Sequence, residues 1–590
     1  MTREEFFILN RAYDIRSGKG RISCELFPGR PGEEAEISGR LAEEGLLDGR
    51  TGEITEAGVS ALEPFRVSNA VILAAGPSTR FIPLSLERPK GLFEVKGERL
   101  IDRQIEQLRE AGIEDVTVVL GYKKEMFFYL KEKYGVRFVF NSVYNRKNNI
   151  ESLCLAKEEL NNTYVCSCDN YFVENPFHQY EYQSFYAGFF MPARTGEMYV
   201  LPDGEDRIVK MQKGLAEGYV LMGHSFWKRE FCEAFLSCAE TYRETGIYDH
   251  AFWEWLVRDH LDGLPPIYLK KYAEDSIFEF DYFEELRAFD EEYVRHAHSE
   301  IIGNIKSVFR CEEADIVDFR NVEEGMTNTS FIFRVRGADY VYRHPGEGTG
   351  SIINRKNEKR SLEIARELGI DTTYVHMDEE AGWKISGFVP RFREPDYRDF
   401  GDSKKIIAVL RALHAAPVVV DYGLRPWQDA AVMEELLVKK DPDCFKEFLS
   451  LKKKVGLLHE KTAGDGVEAC FCHGDTYKPN WMIEPDGCVL LIDWEYSGYS
   501  DPGIDVGYYI VDAMYDFGEA RAFIREYLGG EWSARKEFHF MAYVAIIAYY
   551  WFVWAMYRES CGAIMGEALF HWYEMAGRYA DYLIGESFMD

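Results

Sequence analysis

Between Asn69 and Asn141, short apolar runs and amphipathic stretches take turns along the chain. VILAAG, ending at Gly76, is an apolar run closed by a glycine turn, the pattern of a buried strand. LIDRQIEQLREAG, from Leu100 to Gly112, places apolar residues at helical spacing and stops on glycine, and VTVVLGY from Val116 is again an apolar run. A helix over KKEMFFYLKEKYG and a strand over VRFVF complete a β-α-β-α-β alternation. That order predicts a mostly parallel, doubly wound sheet with its site at the carboxyl ends of the strands. The pattern breaks down near residues 290–310 in the charged run EEYVRHAHSEII, read as a linker. Beyond it, strand-rich sequence such as SFIFRVRGADYVYR gives way after residue 390 to helix-rich sequence, predicting a small β lobe followed by a large α lobe. From Met541 to Tyr557 the run MAYVAIIAYYWFVWAMY approaches the length of a membrane-spanning helix. His539 and Arg558 bracket it, and Tyr and Trp stand where a spanning segment carries Leu, so a buried helix of the α lobe is expected.

Length and charge narrow the picture. A chain of 590 residues exceeds what one hydrophobic core supports. Its changes of pattern set expected boundaries at 1–66, 67–295, a linker over 296–310, and two lobes over 311–390 and 391–590. A formal net charge of -31 argues against nucleic acid or an anionic membrane surface as the main partner. It leaves open small phosphorylated substrates, which bind through local amides, Arg, Lys and Mg²⁺. The beginning, MTREEFFILNRAY, carries acidic residues and no apolar run, so no secretory leader and a cytoplasmic location are expected. The twelve Cys include two pairs spaced by a single residue, Cys166/Cys168 and Cys470/Cys472, without the second pair that a zinc finger needs; reduced thiols are the expectation.

The phrase EISGRLAEEGLLDGRTGEITEAGVSALEPF reads as a helix, a turn at Asp48-Gly49, a short strand and a final helix. That order resembles a winged helix-turn-helix domain. Acids are at least as numerous as bases in it, so a regulatory or dimerisation module is favoured over DNA binding, and a homodimer stays open.

A strand that ends in Ala-Ala-Gly before a loop with Arg80 can wrap a triphosphate in backbone N–H groups, with Arg80 as a cation for the leaving pyrophosphate. Lys90, in PKGLFEV, supplies a second cation, and Asp169, after the apolar strand of YVCSCDNYF, supplies a carboxylate for Mg²⁺. Asp281, in SIFEFDYFEEL, is placed to be the second carboxylate. VILAAG alone reads equally as a structural turn; Arg80, Pro89-Lys90 and Asp169 at these intervals are far more specific. From about Asn69 to Phe289 the sequence resembles the nucleotidyltransferase family that includes bacterial CTP:phosphocholine cytidylyltransferase, down to NSVYNRKNNIESL. The resemblance implies a nucleotide over Leu73, Ala74, Ala75 and Gly76, Mg²⁺ on Asp169 and Asp281, and a trimethylammonium pocket. Phe252, Glu254 and Glu279 are the candidates for that pocket, with Tyr199, Trp227 and Trp253 nearby. Two positions depart from the family: Ser78 stands where a Gly is common, and Ser167 where a second Asp is often found.

The string His473-Gly474-Asp475-x₄-Asn480, followed thirteen residues later by Asp493 after an apolar strand, is the strongest signal in the chain. Asp475 can accept the proton of a substrate hydroxyl while Asn480 and Asp493 hold Mg²⁺ on the phosphates of ATP. Arg343 takes the place of a kinase strand lysine, Glu358 is its expected partner, and Thr327 and Asn328 with Thr329 form a phosphate-covering loop. Over roughly 305–590, and closely through IDWEYSGYSDPGIDVGYY with Asp505, the chain resembles the choline/ethanolamine kinase family. A quaternary ammonium donates no hydrogen bond, so aromatic faces and a carboxylate must hold it. The matching positions are Asp512, Phe517, Trp551 and Trp554, the last two on one helix face; the position of Phe517 is often Tyr in the family.

The expected fold class is multidomain α/β and α+β: a small winged-helix-like unit, a Rossmann-like nucleotidyltransferase domain and a two-lobed, protein-kinase-like domain. The expected function is a bifunctional choline kinase and CTP:phosphocholine cytidylyltransferase taking ATP, choline, CTP and phosphocholine, with Mg²⁺. Three alternatives stay open: the same chemistry on ethanolamine or another alcohol, a sugar-phosphate nucleotidyltransferase fused to a small-molecule kinase, and a choline-sensing regulator with one inactive half.

Overall fold

The computed structural model describes the chain apart from residues 19–26, 28, 31, 193–195, 216, 281, 291–298, 323–328, 347–353, 563–564 and 586–590. The chain divides into two compact units, Met1–Ala314 and Asp315–Asp590.

The first unit is built on a nine-stranded sheet, parallel along one side. Asn69–Ala74 lies between Thr163–Ser167 and Val116–Leu120, and Arg137–Phe140 follows at the edge; all three pairings are parallel. Val116–Leu120 is buried on both faces, which is why it reads as a continuous apolar run without alternation. The Leu100–Glu110 helix covers one face through Ile101, Ile105 and Leu108. Past Thr163–Ser167 the sheet turns antiparallel, through Gly218–Trp227 and its neighbours Phe185–Met191 and Met198–Pro202. This antiparallel half adds to the parallel order expected from the sequence.

Among the described residues of the N-terminal segment are the α-helices Arg3–Arg16, Glu33–Glu43 and Glu56–Leu62 and an antiparallel bridge from Leu47 to Ile54. Phe6, Leu9, Leu41 and Leu62 form its core together with Tyr180 of the sheet domain, and Phe65 stacks on Tyr182 at 5.4 Å. Asp14 and His178, both buried, meet at 3.2 Å.

The run read as a linker over 296–310 is corrected in its described part. Glu300–Phe309 is a helix, capped by Ser299, that buries Ile301, Ile302 and Ile305. The three isoleucines share one helical face, and that apolar stripe outweighs the charges beside it. The N–H of Ile301 donates to Glu87 Oε1 at 2.7 Å, fastening the helix to the first unit.

The second unit begins with a five-stranded antiparallel sheet in the order Ile316–Asn321, Thr329–Val335, Ala338–His344, Lys384–Gly387, Tyr374–Met377. Phe331, Phe333 and Val335 alternate onto its buried face. The Arg355–Glu367 helix packs on it, and a helical lobe follows. At the lobe's centre runs Ala534–Ser560, 27 residues long. Among the described residues it alone is long and apolar enough to cross a membrane, and 89% of its most apolar window is buried inside the protein. Apolar on every side, it is the core helix the sequence predicts.

Candidate active sites

In the first unit, the turn after Asn69–Ala74 and the end of Thr163–Ser167 come together because the two strands are parallel neighbours, Leu73 opposite Ser167. Cys168 N–H donates to the Leu73 carbonyl at 3.2 Å, which sets Asp169 beside the Leu73–Gly76 turn. Lys90 reaches Asp169 Oδ2 at 2.8 Å and lies 3.9 Å from Glu279. Ser78 stands at φ +51°, the left-handed region where the family's glycine rests without strain. Arg80, in the short turn Thr79–Phe81, is exposed. Asp169 Oδ1 is buried and accepts no hydrogen bond among the described residues. An uncommitted carboxylate oxygen at a strand end fits a hard divalent cation. Asp281, expected as its partner, lies outside the described residues, as do Thr327 and Asn328 of the second site.

The expected ammonium pocket is partly reorganised. Glu254 accepts a hydrogen bond from Tyr186 at 2.7 Å, and burial pushes its carboxyl up to about 7, against the opposing pull of a backbone N–H and that phenol. Burial and the nearby charges of Glu254, Glu279 and Asp169 raise the Tyr186 phenol well above its ordinary value. Tyr186 thus holds the Glu254 carboxylate within the electrostatic reach of Asp169, a role no motif pointed to. Phe252 is half exposed at the start of the Trp253–Asp259 helix. Trp227 and Trp253 are core residues: their rings meet edge to face at 5.0 Å, Trp253 stacks on Tyr186 at 4.9 Å, and Trp227 donates to Ser225.

In the second unit, one carboxylate organises the loop of the strongest motif. Asp505 accepts from His473 N–H at 2.8 Å and Gly474 N–H at 2.7 Å, and its own carbonyl accepts from the Thr476 hydroxyl. Gly474 sits at φ +85°, and a Cβ there would lie 2.4 Å from the Tyr496 carbonyl oxygen, so only glycine fits. Asn480 turns its amide N–H back to Asp475, at 2.8 Å to the carbonyl and 3.1 Å to the carboxylate, which leaves its side-chain oxygen to face a cation.

The two aspartates have opposite electrostatics. Burial, reinforced by the charge of Asp493, pushes Asp475 well above the usual carboxylate range, against the pull of the hydrogen bond from Asn480. Burial also acts on Asp493, but Lys384 and Arg343 outweigh it and hold that carboxyl below its ordinary value. One group is therefore disposed to take a proton and the other to stay charged. Arg343 lies 2.6 Å from Glu358, 2.7 Å from Glu495 and 3.3 Å from Asp493. Lys384 Nζ is 3.6 Å from Glu358 and 3.8 Å from Asp493, and Arg355 bonds Glu358 at 2.8 Å. Sequence reasoning reaches Arg343 and Glu358 and misses Lys384, Arg355 and Glu495. Glu358, Asp493 and Glu495 lie close enough to gather an ion, but these three cations already neutralise them.

Asp512 accepts from the Tyr397 hydroxyl and from Lys478 N–H, the latter at 2.8 Å. Trp551 stacks on Tyr508 at 5.0 Å, with Tyr496 at 5.5 Å and Trp554 at 5.2 Å edge to face. Burial raises the Tyr508 phenol well above its ordinary value, and the charges of Asp475 and Asp512 push the same way. Phe517 does not join it. Its ring stacks on Tyr582 at 3.8 Å and lies under Arg578, because the helix it begins packs on Glu567–Gly585.

A strand-end loop holding a lysine–aspartate pair, and a glycine-hinged loop holding an aspartate and an asparagine before a second aspartate, define an enzyme with two group-transfer domains: a nucleotidyltransferase followed by a phosphotransferase. Residues 70–264 match the MobA-like NTP transferase domain, and residues 318–538 match the phosphotransferase enzyme family. The choline-phosphate cytidylyltransferase of Streptococcus pneumoniae is 37% identical over 222 residues, covering 38% of this chain and 96% of that protein. The 2-aminoethylphosphonate cytidylyltransferase of Lancefieldella rimae is 34% identical over 232 residues, covering 38% of this chain and 94% of its own. The chain belongs to the cytidylyltransferase family that contains both. A solved structure, choline kinase LicA from Streptococcus pneumoniae, is 24% identical and covers 48% of this chain and 100% of its own, with a TM-score of 0.42.

Proposed function

We propose that the second unit phosphorylates choline with ATP and that the first unit joins the resulting phosphocholine to CTP, giving CDP-choline and pyrophosphate in the cytosol. One observation carries this reading. A domain 37% identical to a choline-phosphate cytidylyltransferase, over nearly all of that protein, is fused to a phosphotransferase-family domain whose product would be its substrate.

In the second unit Asp475 would accept the proton of the choline hydroxyl as its oxygen attacks the γ-phosphorus. Arg343 and Lys384 would steady the phosphates. Tyr496, Tyr508, Trp551 and Trp554 offer ring faces to the quaternary ammonium, with Asp512 supplying charge. Asn480 and Asp493 present the oxygen ligands that fit Mg²⁺, which when bound neutralises phosphate charge. In the first unit the Leu73–Gly76 backbone would cradle CTP, with Arg80 and Lys90 along the triphosphate and Asp169 and Asp281 on Mg²⁺. Glu254, held by Tyr186, and Glu279 would face the trimethylammonium group, with Phe252 at the rim.

Phosphorus NMR of the protein with Mg²⁺, ATP, CTP and choline, and with each omitted in turn, tests the whole scheme. CDP-choline from the full mixture, and phosphocholine alone without CTP, is the expected result. CDP-ethanolamine or the cytidylyl ester of 2-aminoethylphosphonate forming faster from the corresponding substrates would reassign the acceptor and leave the two reaction types standing.

A further inference from the structure

Beside the loop that carries Asp475, two thiols and an imidazole converge. Cys470 and Cys472 lie two apart on the Cys470–Cys472 strand and so share a face, with their Sγ atoms 3.6 Å apart and no disulfide between them. His414, the last residue of the Phe400–His414 helix, completes a group whose ligand atoms all lie within 4.8 Å of one another. Cys166 and Cys168 have the same spacing, yet no such group forms around them among the described residues.

The arrangement matches what a thiophilic ion requires. Two thiolates at about 2.3 Å from a tetrahedral ion stand about 3.8 Å apart, so the sulfurs are already near their bound separation. His414 Nε2 bonds Asp505 Oδ2 at 2.9 Å, and its Nδ1 faces the Tyr527 hydroxyl at 2.8 Å. A histidine tied to a carboxylate through one nitrogen offers the other nitrogen's lone pair to a cation, the pairing that fixes the ring at metal centres. Cys472 is buried but Cys470 is only partly so, which leaves a way in from solvent.

We propose that His414, Cys470 and Cys472 form a site for a thiophilic divalent cation of the Zn²⁺ class, separate from the Mg²⁺ ligands of the phosphotransferase site. Each thiol that binds releases its proton to solvent, and no electrons are exchanged. The ion would sit one hydrogen bond from Asp505, the carboxylate that holds the Asp475 loop.

Titration of the reduced full chain with Cd²⁺, in the presence of Mg²⁺, tests the site without reference to either reaction. The expected result is a saturable ultraviolet thiolate-to-cadmium band at one ion per chain, displaced by Zn²⁺ and accompanied by a rise in the second unit's melting temperature. Cys470→Ser, at a partly exposed position, should lower the Zn²⁺ affinity at least about tenfold, since losing even an outer partner of a metal site costs that much. Cys561→Ser, at an exposed thiol elsewhere, should change nothing. An unchanged band and stoichiometry in Cys470→Ser would overturn the proposal, as would the absence of a saturable band in the parent chain. Cys472→Ser repeats the test if it folds, but Cys470→Ser is the deciding variant.

Discussion

Asp475 and Asp493 are chemically the same side chain in opposite surroundings, and the difference lies in which neighbours are charged. Asp475 is buried beside another carboxylate; Asp493 has Lys384 and Arg343. With Asp475 as general base, Asp475→Asn should lower phosphocholine formation about 10²- to 10⁴-fold, with cytidylyl transfer from supplied phosphocholine unchanged. Glu254 makes a second prediction, through pH. Burial sets its carboxyl near 7, and a cationic head group favours the ionised form. On the acid side a proton must leave before the cation is held, so the KM for phosphocholine should fall several-fold as pH rises from about 6 to about 8. Glu254→Gln should flatten that profile at a raised KM. Stability runs the other way: the folded chain keeps a proton that the unfolded chain has lost, so this carboxyl's contribution is present at low pH and disappears as pH rises towards 7. His473, Asp475 and Asn480 were legible in the sequence because a single loop carries them. Lys384 and Tyr186 were not, because strand register alone brings them in, Lys384 opposite Arg343 and Tyr186 opposite Ser225. Phe517 and Trp227 show the converse: right residue types, turned by their helix or strand towards packing.

At the scale of elements, hydrophobic period decided what could be read. The parallel strands around VILAAG and the helices between them were visible because burial on both faces leaves an uninterrupted apolar run. The antiparallel half was hidden, since Ile208–Lys213 and Met198–Pro202 mix buried and exposed positions without a motif to anchor them. The helix at Glu300–Phe309 was hidden by its charged approach. Ser78 shows a loop element kept in shape by its surroundings: a side chain in the left-handed region costs about 1 kcal/mol that glycine avoids. Ser78→Gly should therefore raise the melting temperature of the first unit by a few degrees, read by scanning calorimetry. Its effect on the KM for CTP would report whether the loop is shaped for the nucleotide or merely strained.

For the whole molecule, the two sites make separable demands. Lys90→Ala should stop cytidylyl transfer and leave phosphocholine formation intact, the reverse of Asp475→Asn. Mixing the two variants should restore CDP-choline synthesis from choline after a lag, while phosphocholine accumulates in solution. Synthesis that never recovers, at any protein concentration, would mean the intermediate passes only within one chain.

The bond from Ile301 to Glu87 has a practical meaning for anyone dividing the molecule. Glu87 lies three residues before Lys90, so the stretch leading out of the first unit is fastened to the same segment that carries its candidate lysine. A scissile point in the charged run before Ser299 would expose Ile301, Ile302 and Ile305, each worth about 1.5–3 kcal/mol of burial, and leave the Glu87 carboxylate without its N–H partner. The natural seam lies after Phe309, towards Ala314, at the far end of the run read as a linker.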